Sequence, residues 1–214
     1  IGLGHGSRVL IDSYRFSKVK VNGISSKKFK NASRIGKKKK IPNIYKNWKK
    51  LIEDENNDII SIAVPAIYQL EILNECIKKN KMILCEKPLG IKINEINKFF
   101  EKLKNYKKLF FIDYIFPEHS AFKSFKNIID RKKILPSDKV HIEFNTNTFK
   151  FKKKQINWKS NPNKGGGIIN LYLSHIIDYV IYFFGKVSKI KVEIKKKDKH
   201  EIRLICKVEF CSKL

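Results

Sequence analysis

The sequence predicts two domains: an α/β domain with a doubly wound parallel sheet over residues 1–117, then an α+β domain with a mainly antiparallel open sheet over residues 118–214. Three observations carry this. Apolar runs at Asp58 to Val64, Met82 to Cys85 and Leu109 to Ile115 alternate with segments of helical periodicity, which is the grammar of a parallel sheet with crossover helices. A glycine-rich turn, I-G-L-G-H-G-S, opens the chain. Beyond Pro117 the apolar runs give way to alternation, as where Ile190, Val192 and Ile194 are interleaved with Lys189, Lys191, Glu193 and Lys195, the pattern of a strand with one face in water.

Taken in order, Ile1 reads as the last residue of a strand most of which is missing, and Ser7 to about Arg15 as the first helix. Gly2 and Gly4 occupy the first two glycine positions of a G-x-G-x-x-G turn, which allow a tight bend and let the backbone approach a pyrophosphate at a helix N-terminus. The third position is Ser7, which relaxes the packing of helix on strand. Val19 to Ile24 is the next expected strand, ending in Ser25-Ser26-Lys27-Lys28. An acid at that strand end would bind the ribose 2′-hydroxyl of NAD; none is present, and Ser26 and Lys27 suit a 2′-phosphate, which favours NADP. Lys28 to Gly36 has helical spacing, Lys37 to Lys40 is a solvated charge run, and Tyr45 to Glu53 forms a short helix turning Trp48, Leu51 and Ile52 inward. The strand Asp58 to Val64 stops at Pro65, and Ile67 to Lys79 follows as a helix.

The strand Met82 to Cys85 leads straight into Glu86-Lys87-Pro88. Proline restricts the residue before it to an extended backbone, so Lys87 is held at the strand's exit, where open α/β sheets keep their ligands. Asn94 to Tyr106 is an amphipathic helix, and Asp113, in the strand after it, reads as either a functional residue or a satisfied strand-end acid, with the structural reading preferred. In the second domain a helix from Ser120 to Ile129 precedes a strand marked by Val140, Ile142 and Phe144. The turn K-K-K-D-K-H then separates the strand through Ile190 from one through Ile202, Leu204, Cys206, Val208 and Phe210.

Composition excludes more than it assigns. A formal charge of +27 invites a nucleic-acid reading, but only 5 of the 47 basic residues are arginine, the residue suited to bidentate phosphate and base contacts. Lysine is spread along the whole chain with abundant Ile and Asn, so a codon bias explains the charge and no specific nucleic-acid partner is expected. No apolar run reaches the roughly 18 residues of a membrane span. Cys76, Cys85, Cys206 and Cys211 form no C-x-x-C pair and have no paired histidines, which disfavours a metal site and reads as reduced thiols of a cytoplasmic protein.

Gly165, Gly166 and Gly167 open a strongly apolar helix, Ile168 to Phe184, that ends at Gly185. On a regular helix His175 shares a face with Asp178 and, one turn earlier, with Leu171. A histidine with an acid one turn away, on a helix started by three glycines, is a candidate acid/base.

Together, G-L-G-H-G-S at 2–7, V-P at 64–65, C-E-K-P-L at 85–89, the glycine triplet and S-H-I-I-D at 174–178 resemble the glucose-fructose oxidoreductase and inositol dehydrogenase (Gfo/Idh/MocA) family over nearly the whole chain. The resemblance implies a Rossmann domain and then an α+β domain whose open sheet makes homo-oligomer contacts. It implies hydride exchange between NADP or NAD and a sugar-like or cyclitol hydroxyl. It makes Lys87 and His175 catalytic, with Lys87, Asn170 and Asp178 on the substrate. It places Gly2, Gly4, His5, Gly6, Ser7, Ser26, Lys27, Val64, Pro65, Glu86, Lys87 and Trp158 on the cofactor, Glu86 near the nicotinamide ribose, and implies no metal. The chain departs from the family's D-x-G-x-H helix pattern: Leu171 stands at the acid position and Leu173 at the glycine, with Asn170 about 100° round the helix from the missing acid. The alternative is therefore a homologue that keeps the cofactor and serves a binding or regulatory role.

Overall fold

The computed structural model describes residues 1–132, 158–197 and 200–210, and the chain divides into two compact units, Ile1–Asp113 and a second that begins at Tyr114. In the first unit, strands β1 (Gly23–Ser25) and β2 (Asn43–Tyr45) pair in parallel, as do β3 (Ile59–Ile62), β4 (Met82–Cys85) and β5 (Phe110–Ile112). The first two residues link these sheets. The Gly2 N–H donates to the Ser25 carbonyl (3.0 Å) at the end of β1, and the Ala63 N–H beyond β3 donates to the Ile1 carbonyl (2.8 Å). Strand order is thus β2, β1, residues 1–2, β3, β4, β5, and the direction in which strands are added reverses at residues 1–2. That reversal is the switch point of a doubly wound sheet.

Helices α1 (Ile11–Phe16), α2 (Phe29–Lys38), α3 (Trp48–Glu53), α4 (Gln69–Lys78) and α5 (Ile93–Leu103) complete the unit. Ile60 and Ile62 of β3 with Ile83 and Cys85 of β4 make one core with Leu51, Ile52, Ile72, Leu73 and Phe99 from α3, α4 and α5. Each large side chain buried this way contributes about 1.5–3 kcal/mol before entropy is counted. Leu3, Ile11, Ile24, Ala32, Ile35 and Ile41 form a second core beneath α1 and α2.

Four expectations are corrected. The strand expected over Val19 to Ile24 is only Gly23–Ser25, since Val19 is exposed and the chain turns through Lys18 at φ 60°. Its partner β2 takes Tyr45, which periodicity had assigned to the following helix; a three-residue strand is too short to show an alternation. The run Lys37 to Lys40 is not simply solvated, because Lys39 is largely covered and its ammonium lies 2.6 Å from Asp12. The apolar runs are also not buried on both sides: Ile59, Leu109 and Phe111 stay more than half exposed.

The second unit contains α6 (Ser120–Arg131), capped by His119, whose Nδ1 accepts from the Ala121 N–H, and α7 (Ser174–Phe184). Phe122 of α6 stacks on Phe183 of α7 with ring centres 5.4 Å apart, and Phe125 meets the same ring edge-on at 5.0 Å. Strands β6 (Val187–Lys197) and β7 (His200–Phe210) pair antiparallel, with Ile190 opposite Val208 and Val192 opposite Cys206, as alternation predicts. The expected strand through Val140, Ile142 and Phe144 lies outside the described residues, as does Cys211.

Candidate functional site

The C-terminal ends of residues 1–2, β3, β4 and β5 bring together most residues expected on a cofactor. Gly2 has φ +93°, and a Cβ there would stand 2.3 Å from the Ala63 carbonyl oxygen, so only glycine lets the turn lie against β3. Gly4 is exposed with open space where a side chain would be, which leaves its backbone accessible to a phosphate; Gly6 sits buried behind it. Ser7 Oγ donates to the Leu3 carbonyl at 2.6 Å and closes the turn on itself. The residues present therefore fit the diphosphate of a dinucleotide. A wide, π-type turn over Gly6–Leu10 leads into α1, a form of helix found often beside functional sites.

Ser26 and Lys27 follow β1, and the Lys27 ammonium lies over the Tyr68 ring, 5.4 Å from its centre. This ties the strand end to the segment after Val64 and Pro65, whose carbonyls accept from Gln69 Nε2 (3.3 Å) and the Tyr68 N–H (2.9 Å). Beside them Lys28, Lys30, Asn31 and Arg34 line a shallow hollow of about 400 Å³. The cationic character is suited to a phosphate.

At the end of β4, Glu86 meets two partners. His5 Nε2 is 3.3 Å from Glu86 Oε1, and the Asp113 side chain, at the end of β5, is hydrogen-bonded to Glu86. Two carboxyl groups can bond directly only if one keeps its proton. Burial first, and then the charge of Asp113, push Glu86 up to about 7 against the opposing pull of Lys87. Asp113 is also raised by burial, with His5 and the bond from Glu86 acting the other way, so Glu86 donates and Asp113 accepts. Tyr14, whose hydroxyl is bonded to Ser61 Oγ at 2.7 Å, stands close enough for both carboxyls to raise it further once burial has done so. Lys87 leaves the same strand end through a cis peptide bond to Pro88. Behind it Cys85 is buried with its thiol donating to Gln69 Oε1, and burial pushes that thiol, and Cys76, well above the ordinary range. Neither sulfur is a reactive thiolate.

In the second unit the glycine triplet is wedged against the turn Trp158–Ser160. A Cβ on Gly166 would lie 2.3 Å from the Trp158 carbonyl, and Gly165 and Gly167 have φ +81° and +86°. Trp158 is thereby fixed at the start of the helix. Asn170 Nδ2 donates to the Gly166 carbonyl (3.0 Å), and Ser174 Oγ to the Asn170 carbonyl (2.9 Å). A second π-type turn, over Ile169–Leu173, precedes α7, and the Ser174 N–H reaches back to the Ile169 carbonyl. A turn closed by bonds between residues five apart has a different angular spacing. Asn170 and Leu171 are successive positions of this turn, so Leu171 stays about one turn before His175 and Asn170 stays aside from it.

The His175 ring is met edge-on by Phe116 (5.0 Å between centres) and Tyr114 (5.8 Å), both at 86°. Asp178 is half-buried, burial raises its carboxyl, and its Oδ2 is covered without a hydrogen-bond partner among the described residues. Burial and the charge of Asp178 raise Tyr114 in turn. Among the described residues no cluster of three or more His, Cys, Asp or Glu could hold a metal ion, and no helix is long and apolar enough to cross a membrane.

Sequence reasoning names Asp113 but prefers a structural role for it, and it misses Tyr14, Ser61, Tyr114 and Phe116. Asp113 was visible as an acid ending a buried strand of a parallel sheet. The two aromatic residues carried no local signal, since what distinguishes them is contact with a helix some sixty residues away.

Residues 1–114 match the profile described as the oxidoreductase family (GFO_IDH_MocA), NAD-binding Rossmann fold, and residues 126–204 match its C-terminal alpha/beta domain. An uncharacterized oxidoreductase of Schizosaccharomyces pombe, C26H5.09c, is 24% identical over 152 residues, which cover 71% of this chain and 40% of that protein. Among solved structures, levoglucosan dehydrogenase in complex with NADH superposes with a TM-score of 0.74 at 16% identity, covering 90% of this chain and 55% of the other. A putative NADPH-dependent oxidoreductase from Desulfitobacterium hafniense gives 0.78 at 18%, covering 98% and 61%. The chain spans about half the length of the curated relatives it matches.

Proposed function

The chain belongs to the Gfo/Idh/MocA family of oxidoreductases, and on that premise we propose that the protein exchanges a hydride between NADP, in preference to NAD, and a hydroxyl or carbonyl of a sugar-like or cyclitol substrate. The observation that carries this reading is the strand edge at the switch point, where the Gly2 turn lies against Ala63, Gly4 leaves its backbone open and Lys87 leaves the neighbouring strand. The nicotinamide, when bound, supplies or accepts the hydride. Gly4 and the turn around it hold the diphosphate, and Ser26, Lys27 and the cationic hollow beside them hold the 2′-phosphate. Lys87 stabilises negative charge developing on the substrate oxygen, and His175 gives or takes its proton. Asn170 and Asp178 serve the substrate, and Trp158 the cofactor. The half-exposed Ile190 and Val192 of β6 support a homo-oligomer built through the open sheet. The free thiols Cys76, Cys85 and Cys206 support a reducing, cytoplasmic setting.

A specific observation keeps the second reading in play. Leu171 stands where the family's helix carries an acid, so a homologue that binds the cofactor without turnover is the competing proposal. Fluorescence titration tests the first half: NADPH should bind about tenfold more tightly than NADH, and Lys27→Ala should erase most of that difference. NADH binding as tightly as NADPH would remove the 2′-phosphate argument. Tight NADPH binding with no oxidation or reduction across a broad panel of polyols and sugar derivatives would favour the homologue without turnover.

A further inference from the structure

The hydrogen-bonded carboxyl pair at the ends of β4 and β5, Glu86 and Asp113, has no role in the proposed hydride exchange. We propose that Glu86 and Asp113 hold one proton between them and release it to solvent when the oxidised, cationic nicotinamide ring binds, so that the pair discriminates the oxidised cofactor from the reduced one. This rests on the strand edge being the nicotinamide site.

The geometry supplies the argument. Asp113 is locked in place by its own N–H, which donates to the Cys85 carbonyl at 2.8 Å, and Glu86 by its N–H to the Ile62 carbonyl at 2.9 Å. The two residues are therefore held side by side at adjacent strand ends, with His5 Nε2 3.3 Å from Glu86 Oε1. The groups facing them are His5 from the glycine turn, Tyr14 from α1, Cys85 and Lys87 on either side of Glu86 along β4 and its exit, and Ser61, which is neutral, from β3. His5 and Lys87 supply positive charge, but the pair is still hydrogen-bonded through a proton, because burial penalises a second negative charge. The reduced ring is neutral and adds nothing that would change this. The oxidised ring carries a positive charge, and a cation within a few ångströms of a half-buried carboxyl pair favours its doubly ionised form. By linkage, whatever favours the ionised pair binds more tightly as pH rises through the pair's titration. The proton goes to buffer and no bond of the cofactor is altered.

Calorimetric titration of the intact protein in buffers of different ionisation enthalpy reads proton release directly. NADP+ should release close to one proton per site at about pH 6 and about half of one near pH 7, and its Kd should fall about tenfold between pH 6 and pH 8. NADPH should release none, and its Kd should stay within about twofold. Asp113→Asn, close in shape and lacking the second acid, should abolish the release. Independently of any variant, the infrared band of a protonated carboxyl in the wild-type protein should disappear when NADP+ is added and persist with NADPH. Equal proton release for the two cofactors, release that survives in Asp113→Asn, or a carboxyl band unmoved by NADP+ would each overturn the proposal alone. Failure of both cofactors to bind would overturn the nicotinamide reading and this proposal with it.

Discussion

The two units each start a helix from glycines and a wide turn, yet they treat charge in opposite ways. At the strand edge of the first unit, Glu86 has a histidine, a second carboxyl and a lysine for neighbours, and its protonation is set by burial and by those charges together. On α7 of the second unit, His175 lies between the edges of two aromatic rings, and Asp178 is raised by burial alone. The first region is tuned by partners and the second by the exclusion of water. A substitution that keeps shape but changes charge should therefore act mainly at the first, and one that opens space mainly at the second.

The largest effects should come from the residues proposed to touch substrate. Lys87→Ala should lower kcat by about 10²–10³-fold, the usual loss when a group stabilising developing negative charge is removed, with the Kd for NADPH within a few-fold of wild type. His175→Asn, which keeps size and polarity, should cost about 10²–10⁴-fold and flatten one limb of the pH–rate profile. Steady-state kinetics beside a binding titration separates the two. If Lys87→Ala instead abolished NADPH binding and left kcat intact, its role would be structural and the contrast between the regions would lose its chemical meaning.

The positions of these two residues were legible, though their roles remain the proposal, because each belongs to a short pattern with a mechanical reason: proline follows Lys87 at a strand exit, and glycines start the helix of His175. The parallel sheet was equally legible, since Ile60, Ile62, Ile83 and Cys85 must be apolar to fill one core. What escaped was whatever depends on a partner distant in sequence. Asp113 gains its character from Glu86, 27 residues earlier, and only strand pairing brings them side by side. The three-residue strand β2 is too short to display a period, and π-type turns at Gly6–Leu10 and Ile169–Leu173 look in sequence like ordinary helix.

Phe116→Ala tests the second region. It removes one of the two ring edges against His175 and also a contact with Phe122, at 5.6 Å, and with Tyr179, at 6.1 Å. Because Phe116 is only half-buried, the cost should be about 2 kcal/mol, below the range for a fully buried phenylalanine, and visible as a lower Tm. Water admitted beside Asp178 should let its carboxyl titrate closer to the ordinary range, which carbon-13 NMR of the aspartate side chains would follow. An unchanged Asp178 titration in a folded Phe116→Ala protein would mean that the rings do not keep that helix face dry.

The pH dependence of stability from Glu86 is a slope and not a loss of activity, and its sign distinguishes the first region from an ordinary surface ion pair. Its carboxyl titrates near 4.5 in an unfolded chain and at about 7 in the fold. Between those values the folded protein keeps a proton that the unfolded chain has lost, so stability falls as pH rises through this window, with nothing further lost above about 7. A salt-bridged carboxylate with a depressed pKa would give the opposite slope at lower pH. Thermal melts of wild type against Glu86→Gln should show a Tm that declines by a few degrees from pH 5 to pH 7.5 in the first and a flatter profile in the second, since glutamine donates to Asp113 at every pH. A wild-type Tm that rose across this range, with Glu86→Gln removing the rise, would place Glu86 as a plain anion paired with His5 and dissolve the contrast between a partner-tuned edge and a dry helix.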